Sequence, residues 1–529
     1  MSKTIDIFDS TLRDGAQAEG ISFSVEDKLK IVKALDDLGI AYIEAGNPGS
    51  NPKDIEFFER MKAITLKSAK LTAFGSTRRR NIKVEEDKNV QSLLDANTPV
   101  VAIFGKAWDF HVTEIIRTTL EENERMVYET LSFFKKKGKE VIFDAEHFFD
   151  GYKANPEYAL RVLKAAVEGG ADCLVLCDTN GGCFPGTVYE VVKKVRETFN
   201  IKIGIHAHND CGMAVANSIM AVEAGAEHVQ GTYIGFGERC GNANLSTVIP
   251  NLQIKKGMYC IPEEKLKSLT YTARKIAEIS NISLDRRMPY VGNSAFAHKG
   301  GMHIDGVCKA TASFEHIDPE LVGNKRRFLM SEVSGRNTIL EKIRELNPSI
   351  DKNSSETEAI INKLKELEHQ GYQFEGAEST FELIIRKQLG KYKPFFELEK
   401  FKLMTEQPTQ NGSSASALIK VKVDGKSEIT AAEGIGPVHA LDRALRKALE
   451  VFYPELSNVH LTDFKVRVID SQKATAAKVR VLIESTDGET SWTTVGVSTD
   501  IIEASWIALV DSIEYKLLKE LEKKIKVYV

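Results

Sequence analysis

Eight short apolar runs alternate with longer amphipathic ones through the first half of this chain, and no other feature restricts the fold as much. The runs are TIDIFD (4–9), YIEAG (42–46), LTAFG (71–75) and VVAIFG (100–105). VIFDAEH (141–147), CLVLCDT (173–179), IGIHAHN (203–209) and HVQGTYIGFG (228–237) follow. Between them, apolar residues recur at helical spacing. In SVEDKLKIVKALDDLG (24–39), Leu29, Ile31, Val32, Leu35 and Leu38 mark one face, and Ser24 with Asp27 reads as an N-terminal cap. Similar helices are predicted near 112–137, 155–168, 186–199 and 213–224. Gly39, Gly138, Gly169 and Gly225 stand where helices should stop. Eight β/α units in about 250 residues match a TIM (β/α)8 barrel in number and length. A doubly wound open sheet is the structural alternative. The barrel carries the sharper expectation, because its functional groups cluster where the strands end.

The strand ends are rich in ionisable residues. Arg13 and Asp14 follow the first run, and Glu44 lies on the second. Lys106 ends the fourth, the fifth carries Glu146 and His147, and the sixth ends at Asp178 and Thr179. His206 and His208 sit one residue apart on the seventh. On a strand, period two points both the same way. On a helix they would diverge by about 200°. Two neighbouring imidazoles can bind a metal, or they are unrelated polar residues at a strand end. Charges on apolar strands are costly to bury unless paired or metal-bound. Their recurrence at one end of most strands points to a shared polar site rather than a merely wet rim.

The second half reads differently. Residues 260–385 are mainly helical in pattern, broken by NSAFAHKGGMHIDG (293–306). QPTQNGSSASA (407–417) reads as a loop. Residues 386–529 then show a strand–strand–helix pattern twice over, an internal duplication. In each copy glycines precede the helix: Gly434 and Gly436, then Gly496. Such glycines permit close backbone approach, as at a small-ligand site or in a tight turn. The predicted division is a barrel over 1–275, helical linker subdomains over 276–385, and an α+β duplicated domain over 386–529. With 529 residues the chain is long enough for several cores. A net charge of −4 argues against a nucleic-acid partner. No apolar run approaches the roughly 20 residues that cross a bilayer. Seven cysteines without a C-x-x-C pair, and an N-terminus without a signal-peptide core, predict a reduced, cytoplasmic protein.

Four motifs in order carry a resemblance. DSTLRDGAQ (9–17), with Lys28 eleven residues on, resembles the opening signature of the isopropylmalate, homocitrate and citramalate synthases. IGIHAHNDCGMAVA (203–216) resembles their second signature. GFGERCGNAN (235–244) and AFAHKGGMHIDG (295–306) resemble two further segments of that family. RDGAQAEGISFSVEDKLKI and YIEAGNPGSNPKDIEFFERMK look most like its citramalate branch. The resemblance covers essentially the whole chain. It implies a Claisen-type condensation of acetyl-CoA with a 2-oxo acid, pyruvate in that branch, on the route to isoleucine.

The resemblance also implies roles. Asp14, His206, His208 and Asn242 would hold a divalent ion: Mn2+, Mg2+ or Zn2+. Arg13 would stabilise charge on the ketone oxygen, Thr179 would bind the oxo-acid carboxylate, and Glu44 would line the pocket. Glu146 and His298 would transfer protons, His298 arriving from the neighbouring subunit of a homodimer. The duplicated domain would bind isoleucine as feedback inhibitor, with Gly434, Gly436 and Gly496 as the residues to watch. Four rivals remain: a synthase for a larger 2-oxo acid, an acyl-CoA lyase of the same barrel family, a metal-dependent amidohydrolase, and a non-catalytic amino-acid sensor.

Overall fold

The eight apolar runs become eight parallel strands, and the eighth pairs with the first. This closes a barrel and excludes the open sheet. The computed structural model describes residues 3–329, 343–344, 346, 350, 354–374, 376–410, 413–469 and 477–528. The barrel strands are β1 (Asp6–Asp9), β2 (Tyr42–Glu44), β3 (Lys70–Ser76) and β4 (Val100–Lys106). β5 (Glu140–Glu146), β6 (Cys173–Asp178), β7 (Lys202–Ala207) and β8 (His228–Gly231) complete it. β8 is shorter than its run suggests, because the chain turns at Tyr233–Gly235.

The strands are apolar on both faces because both faces are buried. Ile7, Ile43, Val101, Ile103, Phe143, Leu174 and Ile205 point outward into the helix-lined core. Phe8, Tyr42, Val100, Ala102, Ile142 and Val175 pack in the barrel interior. Period two carries the interior face upward along each strand. Tyr42 leads to Glu44, Ile142 to Asp144 and Glu146, Gly204 to His206, and His228 to Gln230. The polar residues thus sit on the same face as the interior packing, one layer nearer the C-terminal ends.

The helix Val25–Leu38 starts with the expected reciprocal cap between Ser24 and Asp27. Lys28 in its first turn points inward. Its ammonium donates to the Ala45 carbonyl at 2.9 Å and pairs with Asp54. The motif lysine therefore braces the second βα unit. The predicted helix 112–137 is narrower, Leu120–Lys136, because Thr119 caps the backbone N–H of Glu122 at 3.1 Å. Gly169 keeps right-handed geometry, and Gly170 (φ 90°) makes the turn predicted for Gly169.

The chain divides into two compact units, residues 1–296 with 317–326, and residues 297–316 with 327–529. In the second, β9 (Ala297–His298) pairs in parallel with β10 (Arg327–Phe328). The helices Ser355–Gln370 and Glu378–Gln388 enclose Ile360, Leu364, Phe374, Phe381 and Ile385. Then come two antiparallel sheets, each followed by a helix. The first is β11 (Glu397–Gln410), β12 (Ser413–Val423) and β13 (Lys426–Gly434), with helix Pro437–Leu449. The second is β14 (His460–Val468), β15 (Val479–Thr486) and β16 (Ser491–Ser498), with helix Ile501–Tyr528.

The duplication holds with three strands per copy rather than two. The predicted loop 407–417 is instead strand on both sides, with residues 411–412 outside the described part. Its core-facing residues are alanines, Ala415 and Ala417, alternating with partly exposed Ser414 and Ser416. Small inward residues concealed the strand.

Candidate active site and metal centre

β1 ends in a tight loop that aims Arg13 and Asp14 back over the barrel mouth. Arg13 Nε donates to Glu44 Oε2 at 2.6 Å, and Nη1 reaches Asp14 Oδ2 at 3.2 Å. The guanidinium carbon lies 3.7 Å from the centre of the Phe74 ring. Ser10 Oγ also donates to Glu44. Burial works against the Arg13 charge, and Glu44 with Asp14 more than restores it, so the group stays cationic. Glu44 is fully buried and reaches the site through Arg13.

His206 and His208 point the same way, as period two predicted. Their Nε2 atoms are 3.4 Å apart and lie 3.3 and 3.8 Å from Asp14 Oδ2. Asn242 Nδ2 is 3.0 Å from His206 Nε2 and 3.3 Å from Asp14 Oδ2. Asn242 sits in the glycine-rich loop after β8, where a Cβ on Gly237 would meet its side-chain oxygen at 1.8 Å. Burial raises the Asp14 carboxyl, but Arg13 and then His206 pull it well below the usual carboxylate range. Burial, and then the neighbouring His206, pull His208 down to about 4. His208 is therefore neutral at pH 7 and fit to be a ligand.

These residues fit a divalent cation. Asp14, His206 and His208 can place their ligand atoms within 4.8 Å of one another, the one such cluster among the described residues. Asp14 Oδ1 and Asn242 Oδ1 are buried acceptors without a hydrogen-bond partner. With the Asn242 amide turned so that Oδ1 takes the place of Nδ2 beside His206 and Asp14, a carboxylate, an amide oxygen and two imidazoles suit Mg2+, Mn2+ or Zn2+.

Glu146 ends β5 and pairs with Lys106 at the end of β4. Thr179 Oγ1 accepts the backbone N–H of His147 at 2.8 Å. His298 belongs to the second unit, where its Nε2 lies 3.1 Å from Glu315 Oε1. In the duplicated domain, a Cβ on Gly434 would meet the backbone N of Ala440 at 2.4 Å. One on Gly496 would meet the Ala504 carbonyl oxygen at 2.0 Å. Both glycines let the following helix pack against its own sheet, whereas Gly436 faces open space.

Four residues of the barrel site escaped the sequence reading: Ser10, Phe74, Asp144 and Gln230. Stepping back two positions from Glu146 finds Asp144. Gln230 lies on the same strand face as His228, two residues further along the eighth run. Burial, and then Glu44, push the Asp144 carboxyl up to about 7.

Three family models match consecutive parts of the chain. They are HMGL-like over residues 4–281, homocitrate synthase post-HMGL domain-like over 290–372, and the LeuA allosteric (dimerisation) domain over 375–517. The (R)-citramalate synthase of Aquifex aeolicus is 56% identical over 527 residues, covering 99% of this chain and 100% of its own. That of Geobacter sulfurreducens is 51% identical over 519 residues, 98% of either chain. A probable 2-isopropylmalate synthase of Methanopyrus kandleri is 33% identical, covering 96% of this chain and 98% of its own.

Proposed function

We propose a reaction on one premise: the chain belongs to the (R)-citramalate synthase family. The reaction condenses acetyl-CoA with pyruvate and water to give (R)-citramalate and free CoA, on the route through 2-oxobutanoate to isoleucine. The 56% identity over a full-length relative carries this reading. The lower identity of the isopropylmalate synthase relative favours pyruvate over a larger 2-oxo acid.

The chemistry asks for these residue types. A thioester methyl is a weak carbon acid, so its enolate needs a positioned base and stabilised charge. Asp14, His206, His208 and Asn242 would hold a divalent ion, which would supply Lewis-acid polarisation of the ketone. Arg13 donates to the ketone oxygen as negative charge builds there, with Glu44 and Asp14 fixing its plane. Thr179 accepts the His147 N–H, so its own O–H is left to donate to the oxo-acid carboxylate. Glu146, backed by Lys106, and His298, backed by Glu315, take the methyl proton and handle the hydrolytic water. We assign the catalytic barrel to residues 1–275 and dimerisation with regulation to 386–529, with 276–385 between them supplying His298 to the neighbouring subunit. The LeuA match supports a homodimer. No described helix is long and apolar enough to cross a membrane. Seven cysteines without a C-x-x-C pair support a reducing, cytoplasmic setting.

The direct test mixes the purified chain with acetyl-CoA and pyruvate. Free thiol and citramalate should appear in equal amounts, and neither substrate alone should release CoA. No release in the presence of a divalent ion overturns the reading.

We also assign isoleucine as the ligand of the duplicated domain. Gly436 opens a helix N-terminus to solvent beside the exposed Ile435. Such an end suits a carboxylate, and an apolar neighbour suits an aliphatic side chain. Coupling between sites is typically about 1–3 kcal/mol. Millimolar isoleucine should therefore cut turnover of the full chain about 5–150-fold, with leucine weaker. Turnover unchanged by either amino acid would remove the assignment.

A further inference from the structure

Below the metal cluster lies a buried chain of three polar side chains. His206 Nδ1 is 2.9 Å from Gln230 Oε1, and Gln230 Nε2 is 2.9 Å from Asp144 Oδ1. Their exposures are 5%, 0% and 4%. They come from β7, β8 and β5, and His206 faces Gln230 directly in the register.

The direction of this chain follows from what each group can do. An ionised carboxylate only accepts hydrogen bonds, so Gln230 must offer Asp144 its NH2. The amide is planar, so its oxygen then faces His206. That oxygen also only accepts, so the proton of the neutral imidazole must sit on Nδ1. Nε2, the atom aimed at Asp14 and Asn242, is left bare. Turning the amide around would set two acceptors, Gln230 Oε1 and Asp144, against each other in a buried site.

We propose that Asp144 and Gln230 are positioning residues that fix the His206 tautomer, with Nε2 bare and ready to bind a divalent ion. The proposal rests on the metal reading above. Neither residue touches the ion or the substrate. Each acts on affinity through His206 alone, in the manner of outer-shell groups.

The test is a Mn2+ titration of the full-length chain against a competing chelator, at about pH 8.5, where Asp144 is ionised. Asp144→Asn keeps the shape but can donate, which frees Gln230 to invert and protonate Nε2. Mn2+ affinity should fall about 10–100-fold. In Asp144→Asn/Gln230→Glu, residue 230 can again only accept, and the net charge of the wild type is kept. Affinity should return to within a few-fold of wild type. A purely structural role would leave the double variant no better than the single one, and that result overturns the proposal. Unchanged affinity in Asp144→Asn also overturns it, while leaving the metal site intact. Wild-type protein that takes up no Mn2+ overturns the metal reading and this proposal together.

A second measurement reads the wild type directly. Nitrogen NMR of the metal-free wild type, with histidines labelled and His206 assigned by its absence in His206→Ala, should show the proton on Nδ1. An Nδ1 that carries no proton contradicts the proposal.

Discussion

A chain carrying His206→Ala and His208→Ala is expected to retain its barrel and to lose stoichiometric divalent metal. The two imidazoles are half of the four proposed donors, and their Nε2 atoms lie within 3.8 Å of Asp14. What remains, one carboxylate and one amide, is too little to hold an ion against water. The barrel should survive because its packing lies elsewhere. Outward-facing Ile203 and Ile205 bind β7 to the helices, and neither histidine belongs to the apolar core. The structural cost is one stranded acceptor, Gln230 Oε1, worth about 1–3 kcal/mol. The catalytic cost is larger. A Lewis acid contributes several kcal/mol, and each 1.4 kcal/mol is tenfold, so kcat should fall at least about a thousandfold. Metal analysis after desalting, beside circular dichroism, checks both halves. A folded double variant with wild-type metal content would contradict the ligand assignment.

Arg13→Lys should lower kcat at least about tenfold, or roughly 1.4 kcal/mol in the transition state, while leaving the fold intact. Lysine keeps a charge near Glu44 and Asp14 but loses the planar fork. In the wild type, Nε and Nη1 are held by those two carboxylates, and Phe74 stacks beneath the guanidinium. The group is therefore locked in one plane, and a flexible ammonium cannot reproduce its direction. Alanine is the poorer test. It strands Glu44, whose side chain is fully buried, at about 3–5 kcal/mol of stability. Turnover of Arg13→Lys near the wild-type value would count against the electrophilic role.

The barrel was legible because its two signals reinforce each other. Continuous apolar runs mark strands buried on both faces, and helical spacing marks what covers them. The His206–His208 pair was legible because period two is a strict rule on a strand. Where signals were weak, the reading slipped by predictable amounts. Gly169 and Gly170 both permit a helix to end, and only backbone geometry chooses the second. Ala415 and Ala417 bury too little surface to advertise a strand, so the polar 407–417 reads as a loop. Asp144 and Gln230 lie inside largely apolar strands rather than at their ends. Their bearing on the site depends on β5 and β8 facing each other through the closed barrel, a relation that spacing along the chain does not encode. Lys28 shows the reverse case. It belongs to a recognisable motif, yet its ammonium braces Asp54 and the Ala45 carbonyl.

The central claim is the identity of the 2-oxo acid, and a steady-state comparison tests it most directly. CoA release would be followed with pyruvate, 2-oxobutyrate and 2-oxoisovalerate at fixed acetyl-CoA and metal. One methylene changes discrimination by only about 1–3 kcal/mol, so slow turnover of 2-oxobutyrate is compatible with the account. Pyruvate should give the highest kcat/KM of the three, with (R)-citramalate as its product. A higher kcat/KM for 2-oxoisovalerate would contradict the account and move the chain to isopropylmalate synthesis.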